Sequence, residues 1–183
     1  MRLLGAVTLA IGLALGACDR PAAPGSAPGE APASTQPAQT GGALTDADRA
    51  VLLSTLELSA NAQGQVRNEC GDWVTPTIAP AELGGAVGAA ILVAIGGGPT
   101  MATCYGDGPD LHLMLRDGAG FREVYAARGR MLVILPATTG GVRDIADGGP
   151  GFSFPLWQWN GSRYVDTNRE VSDAEIANAT FLP

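Results

Sequence analysis

Few residues in this chain are equipped for chemistry. The single histidine, His112, stands between Leu111 and Leu113. In a strand it faces away from both leucines, so leucines turned inward leave it pointing to solvent. A lone strand histidine with no Cys or His neighbour is a poor metal ligand. As a general base it would need a nucleophile and an orienting acid supplied by the fold, and the expectation is a surface residue. Asp144 with Asp147, and Glu69 with Asp72, are close enough in sequence to be considered as acid pairs for glycoside hydrolysis. Their setting reads instead as solvated turns. There is no Gly-x-Ser-x-Gly elbow and no Gly-x-x-x-x-Gly-Lys; the Gly96–Gly98 run lacks the lysine and the helix that a phosphate loop needs. No catalytic, metal or cofactor site is expected.

The aromatic residues offer more. Trp157 and Trp159 are two apart and share one face of a strand. Tyr164 follows across an Asn160-Gly161 turn and can join them. With Arg143 or Arg163 at the edge, they are candidate ligand-binding residues for a sugar or a peptide, by stacking and cation–π contact. The competing reading is core. Phe152, Phe154 and Leu156 occupy the opposite parity, so both faces of this strand are apolar and the strand is expected to be buried on both sides. Trp73 and Tyr105 flank Cys70 and Cys104.

The elements that would position these residues are mostly strands. Residues 44–58, LTDADRAVLLSTLEL, predict a helix: Thr45 and Asp48 have capping-box spacing. Leu44 can staple the first turn, and Val51, Leu52, Thr55 and Leu56 make an apolar stripe. Short β-rich runs follow at 89–95, 101–105, 111–116, 121–126, 131–136, 142–146, 154–159 and 163–166. Asp117-Gly118 and Asn160-Gly161 sit between such runs as hairpin turns do. Ser172 and Glu175 predict a short helix over 173–179. The fold class is mainly β, antiparallel meanders arranged as a sandwich or a partial propeller, with an N-terminal helix and a short C-terminal one. Gly97-Gly98-Pro99 and Gly148-Gly149-Pro150 each follow an apolar strand and precede a strand, a turn and another strand. This two-copy repeat predicts two meanders packed face to face or side by side, with chance in a Gly-rich chain as the alternative.

The N-terminus reads as an address. Met1-Arg2 is followed by an uncharged run, Leu3 to Ala17, short of the ~20 residues a spanning helix needs and ending in small residues, as a secretory signal does. Leu15-Gly16-Ala17-Cys18 resembles the lipobox of bacterial lipoproteins. That resemblance implies a signal peptide over 1–17, cleavage before Cys18, and lipidation of Cys18 as the membrane anchor. Two or three acyl chains hold firmly where one does not. Asp19 resembles an inner-membrane retention signal, a rule that varies among bacteria, so inner and outer membrane both stay open. Residues 18–42, rich in Pro, Ala, Gly, Ser, Thr and Gln, have almost nothing to bury and are expected to be a disordered tether. A tether of this length averages about 27 Å if flexible and reaches roughly 75 Å if polyproline-like. One β-rich domain over 43–183 remains.

With Cys18 taken by lipid, Cys70 and Cys104 are left as an even pair in an oxidising compartment, and a structural disulfide is expected. Closing that loop would stabilise by about 3.7 kcal/mol in the chain-entropy picture. Every basic residue is Arg, and the net charge is −7. An acidic domain argues against a nucleic-acid partner and against electrostatic docking on anionic lipid.

The run GVRDIADGGPGFSFPLWQWNGSRYV resembles a blade of bacterial exported proteins related to the FG-GAP or integrin-propeller repeats. Gly141, Asp144, Ile145, Trp159, Asn160, Gly161 and Tyr164 carry the likeness. The calcium loops of that family need more acidic oxygens than Asp107-Gly108-Pro109-Asp110 offers, so no metal is implied here. The functional expectation is a lipid-anchored envelope protein that binds a protein or glycan partner without catalysis. The alternatives are a periplasmic hydrolase, and an inhibitor of a foreign hydrolase acting through a loop at 104–110.

Overall fold

Thr45 starts the first helix as its spacing predicts. In the computed structural model, which describes residues 44–96, 108–129, 131–148 and 153–182, α1 is Asp46–Thr55. The Thr45 hydroxyl accepts from the Asp48 N–H at 3.1 Å, and Asp48 Oδ2 accepts from the Thr45 N–H at 3.2 Å. This reciprocal box satisfies donors that a helix start otherwise leaves open. Leu52 and Leu53 are buried, with Leu44 and Leu56 packed beside them. Val51, expected in the buried stripe, is instead exposed. The helix stops short of residue 58 because Glu57 takes a positive φ of 57°, which ends a right-handed helix.

Eleven described strands follow. β1 (Val66–Arg67) and β2 (Trp73–Val74) form a small hairpin. β3 (Thr77–Glu82), β4 (Ala89–Ile95), β5 (Asp110–Asp117) and β6 (Gly120–Arg128) form a four-stranded sheet in that order. β7 (Met131–Thr139), β8 (Val142–Gly148), β9 (Pro155–Trp159), β10 (Tyr164–Glu170) and β11 (Thr180–Leu182) form a second sheet ordered β10-β9-β8-β7-β11. The pairings within both sheets are antiparallel. A four-residue helix α2 (Asp173–Ile176) precedes β11, and its Ser172–Glu175 capping box is present. It ends before residue 179, the predicted limit. The expected mainly β fold with two helices is the observed one.

Alternation along the strands builds three cores. Leu92, Leu111, Leu113 and Val124 of the first sheet meet Leu132, Ile134 and Ile145 of the second. The sheets therefore pack face to face, with interleaved side chains between them. On the far side of the first sheet, Val93, Ile95, Met114 and Phe121 pack with Leu52 and Leu53 of α1 and with Val66 and Val74 of the hairpin. On the far side of the second, Val133, Leu135, Ala146 and Leu156 meet Val171, with Ile176 beside them. Sheets covered on both faces carry near-continuous apolar runs, which is why AAILVAI and MLVIL lack polar alternation.

β4-β5-β6 and β8-β9-β10 are consecutive antiparallel meanders, one in each sheet. This is the face-to-face arrangement that two repeat copies would give, although the Gly-Gly-Pro steps 97–99 and most of 148–150 lie outside the described residues. So do the signal run, Cys18, the tether, the predicted strand at 101–105, Cys104 and most of the 104–110 loop. Among the described residues no helix is long and apolar enough to cross a membrane.

Candidate functional site

Trp157 and Trp159 share a face of β9, as their spacing requires, and that face looks inward. Tyr164 is directly opposite Trp159 in the β9–β10 register. The intervening turn is held by Asn160, whose Oδ1 accepts from the Ser162 N–H at 3.0 Å and the Arg163 N–H at 2.9 Å. The Trp159 and Tyr164 rings meet edge-on at 5.4 Å. Tyr125 reaches across from the first sheet to meet Trp157 edge-on at 5.1 Å and Tyr164 at 6.4 Å. Trp159 is 8% exposed and Tyr164 2%. Trp157 is half-buried against the same core. These rings are occupied with one another, and Trp159 and Tyr164 present no open stacking face.

Arg143 enters through its backbone. Its carbonyl accepts from the Tyr164 hydroxyl at 2.7 Å, and its N–H donates to the Leu83 carbonyl at 2.8 Å. Burial, with the charge of Asp144 nearby, pushes the Tyr164 hydroxyl above its ordinary value, so it stays protonated and donates. Arg163 is exposed on the turn. A cation that the sequence pattern does not single out lies beside these rings: Arg122 is 5.9 Å from the Trp159 ring centre and donates to the Ser162 carbonyl.

Asp144 and Asp147 do not form an acid pair. Asp147 Oδ1 accepts from Trp157 Nε1 at 2.7 Å, while Asp144 Oδ2 accepts from Gln158 Nε2 at 3.1 Å. Trp157 and Gln158 are neighbours on opposite faces of β9, so the two carboxylates occupy opposite sides of the sheet. Both are buried, which corrects the expectation of solvated turns. Glu69 accepts from Arg128, and Asp72 lies in the β1–β2 turn.

His112 takes the face that its flanking leucines predict. Leu111 and Leu113 are fully buried, and the imidazole lies on the other face of β5, where it is half-buried rather than open to solvent. Its Nδ1 stands 2.8 Å from Glu123 Oε2 on β6. It borders an open depression of about 340 Å³ lined by Asp110, His112, Ala126, Ala127 and Arg128. Arg128 binds Asp110 at 3.1 Å and also Glu69, so its charge is already met on two sides.

The exposed aromatic lies elsewhere. In the β1–β2 hairpin, Val66 and Val74 pair across the strands and point into the α1 core. The next pair, Arg67 and Trp73, must then face out. Trp73 is 41% exposed, with the Arg67 guanidinium 4.4 Å from its ring centre. Arg67 is itself held by the Gly71 carbonyl. The turn is clamped by Asn68, whose Oδ1 accepts from the Asp72 N–H at 2.9 Å, and Gly71 takes the positive φ that closes it. Cys70 sits in this turn and is not a free thiol. The signal was present in the sequence as VRNECGDWV: two valines flanking an Arg and a Trp at strand parity, around an Asn-x-x-Gly turn.

No family model, no curated protein and no solved structure matches this chain.

Proposed function

We propose that this chain is a lipid-anchored cell-envelope lipoprotein whose β-sandwich is a non-catalytic binding module for an envelope protein or glycan. The lipobox-like LGAC supports cleavage before Cys18 and anchoring by lipid to the inner or outer membrane. The composition of 18–42 supports a tether that lets the domain stand off the bilayer. The bonded state of Cys70 supports its pairing with Cys104.

The observation that carries the binding reading is the Trp73–Arg67 pair. Trp and Arg are enriched among residues that dominate binding energy. Here they stand side by side on a hairpin whose buried valines and clamped turn hold them in place, so little ordering entropy remains to be lost on contact. In-envelope crosslinking of the full chain tests this, comparing wild type with Trp73→Ala, Arg67→Ala and Cys18→Ser. The expected outcome is one abundant partner or glycan fragment, lost in the Trp73 variant and reduced without the anchor. Crosslinked species that persist unchanged in Trp73→Ala would remove this surface from the proposal.

A second reading, a periplasmic hydrolase, is favoured by one observation: the His112–Glu123 pair at the rim of an open depression. A carboxylate on Nδ1 orients an imidazole as a general base requires. Hydrolysis of a chromogenic ester or glycoside panel that disappears in His112→Gln would establish it; equal rates in both proteins would dismiss it.

A further inference from the structure

The outer face of the first sheet carries a hollow beside the hairpin. Register places Asp110, His112 and Met114 of β5 on that face, opposite Arg128, Ala126 and Glu123 of β6. Met114 belongs to the core that α1 and the hairpin cover, and so does Val93, the β4 neighbour of His112. The exposed methyl of Ala126 stands between two longer side chains of its own strand, so the surface sinks there. The result is the depression of about 340 Å³ that Asp110, His112 and Arg128 border.

Its polar rim is held in pairs. Arg128 Nε donates to Asp110 Oδ1 at 3.1 Å, and His112 Nδ1 stands 2.8 Å from Glu123 Oε2. Arg128 also donates to Glu69, which brings the hairpin turn to the same rim. Glu69 is two residues from Arg67, and Arg67 lies opposite Trp73 with its guanidinium 4.4 Å from the ring centre. Such a rim suits a sugar ring. Each hydroxyl of a pyranose both donates and accepts; carboxylates offer several acceptor sites and a guanidinium several donors. Because these groups already hold one another, little side-chain freedom is left to lose when a ligand binds. The C–H face of the ring needs an apolar surface, which the Ala126 methyl offers in the hollow and the exposed Trp73 indole offers beyond it. An extended peptide instead reads alternate pockets along a sheet edge, whereas here a single hollow lies on the face of the sheet.

We propose that this hollow is a saccharide subsite, and that a glycan chain seated in it runs along the hairpin to stack on Trp73. The inference rests on the binding reading above and names its ligand, a glycan bound without cleavage.

The test places the full chain, in detergent micelles, on an array of immobilised oligosaccharides, then titrates the retained glycan as a disaccharide and as a hexasaccharide. The glycan should be retained and recovered uncut. Ala126→Leu fills the hollow and should weaken both lengths by about tenfold or more, whereas Ala126→Ser keeps the hollow and should bind as wild type does. Trp73→Ala should weaken the hexasaccharide by about tenfold and leave the disaccharide unchanged. An array that retains nothing, equal binding by wild type and Ala126→Leu, or equal losses in Ala126→Ser and Ala126→Leu would overturn the subsite. An unchanged hexasaccharide affinity in Trp73→Ala would overturn the path along the hairpin. Shortened glycan would overturn binding without cleavage and pass the hollow to the hydrolase reading. An empty array beside a crosslinked protein partner that is lost in Trp73→Ala would overturn this inference and leave the binding reading standing.

Discussion

Two tryptophan settings in this domain differ in what lies behind the strand. Trp159 and Trp73 each occupy a strand position, each lie directly opposite a residue that touches the ring, and each have an arginine near them. Trp159 belongs to a strand of a five-stranded sheet with a second sheet packed on its inner face, so its ring is enclosed by Tyr164 and the inter-sheet core. Trp73 belongs to a two-residue strand whose inward side is already filled by Val66 and Val74. Its own parity faces water. Residue type and local spacing are alike in the two places, and only the long-range packing decides which ring is structural and which is available.

The comparison is broken most severely by truncating the inner ring. Trp159→Ala should destabilise the domain by about 3–5 kcal/mol, read as a lowered urea midpoint, because it removes a large buried ring and leaves a cavity between the sheets. Tyr164→Phe keeps the ring and loses only the hydrogen bond to the Arg143 carbonyl, so about 1 kcal/mol is expected by the same measurement. A polar link outside the sheets gives a subtler handle. Arg116 Nη1 binds Asp48 Oδ1 at 2.8 Å and ties α1 to β5. Arg116 first, with Thr45 hydrogen bonds behind it, holds the Asp48 carboxyl down at about 2. This link therefore stabilises above the ordinary Asp range and is lost as pH falls toward about 2. Arg116→Gln should return the Asp48 titration toward the ordinary range by NMR; an unmoved midpoint would assign the depression to Thr45. The smallest effect is expected at the outer ring: Trp73→Ala should change unfolding stability by less than about 1 kcal/mol. A cost near that of Trp159→Ala would show Trp73 to be a structural residue and end the contrast.

Much of the fold was legible because its signals are local. The Thr45–Asp48 and Ser172–Glu175 boxes, the Asp-Gly and Asn-Gly turns, and the β-branched runs at 89–95 and 131–136 each sit within a few residues. The hairpin strands β1 and β2, edge strand β3 with Pro80, and the three-residue β11 were not anticipated. They are short or punctuated, and they exist because α1, β4 and β7 offer them a partner. The candidate site was legible only in part. Parity placed Trp157 and Trp159 together and predicted a strand buried on both sides, as found. Nothing local in DIADG distinguishes Asp144 and Asp147 from turn acids; their burial comes from β9 and from the facing sheet. Trp73 is marked in the sequence by its place beside Cys70 and by the Val-Arg and Trp-Val steps about the Asn-x-x-Gly turn, a signal of only two residues on each strand.

The loop between β3 and β4 passes so close to the β7–β8 turn that a Cβ on Gly85 would lie 2.1 Å from the Gly141 carbonyl oxygen. Gly118, in the β5–β6 turn, also has a positive φ, yet nothing lies within 4 Å of its Cβ position. Under random mutation the two glycines should therefore diverge. Position 118 admits Asn, which tolerates the left-handed backbone. Position 85 meets main chain rather than a movable side chain, so no single replacement can be accommodated without displacing the turn of the opposite sheet. Drift in one of these loops is then conditional on drift in the other, and the two sheets are constrained to diverge as one unit.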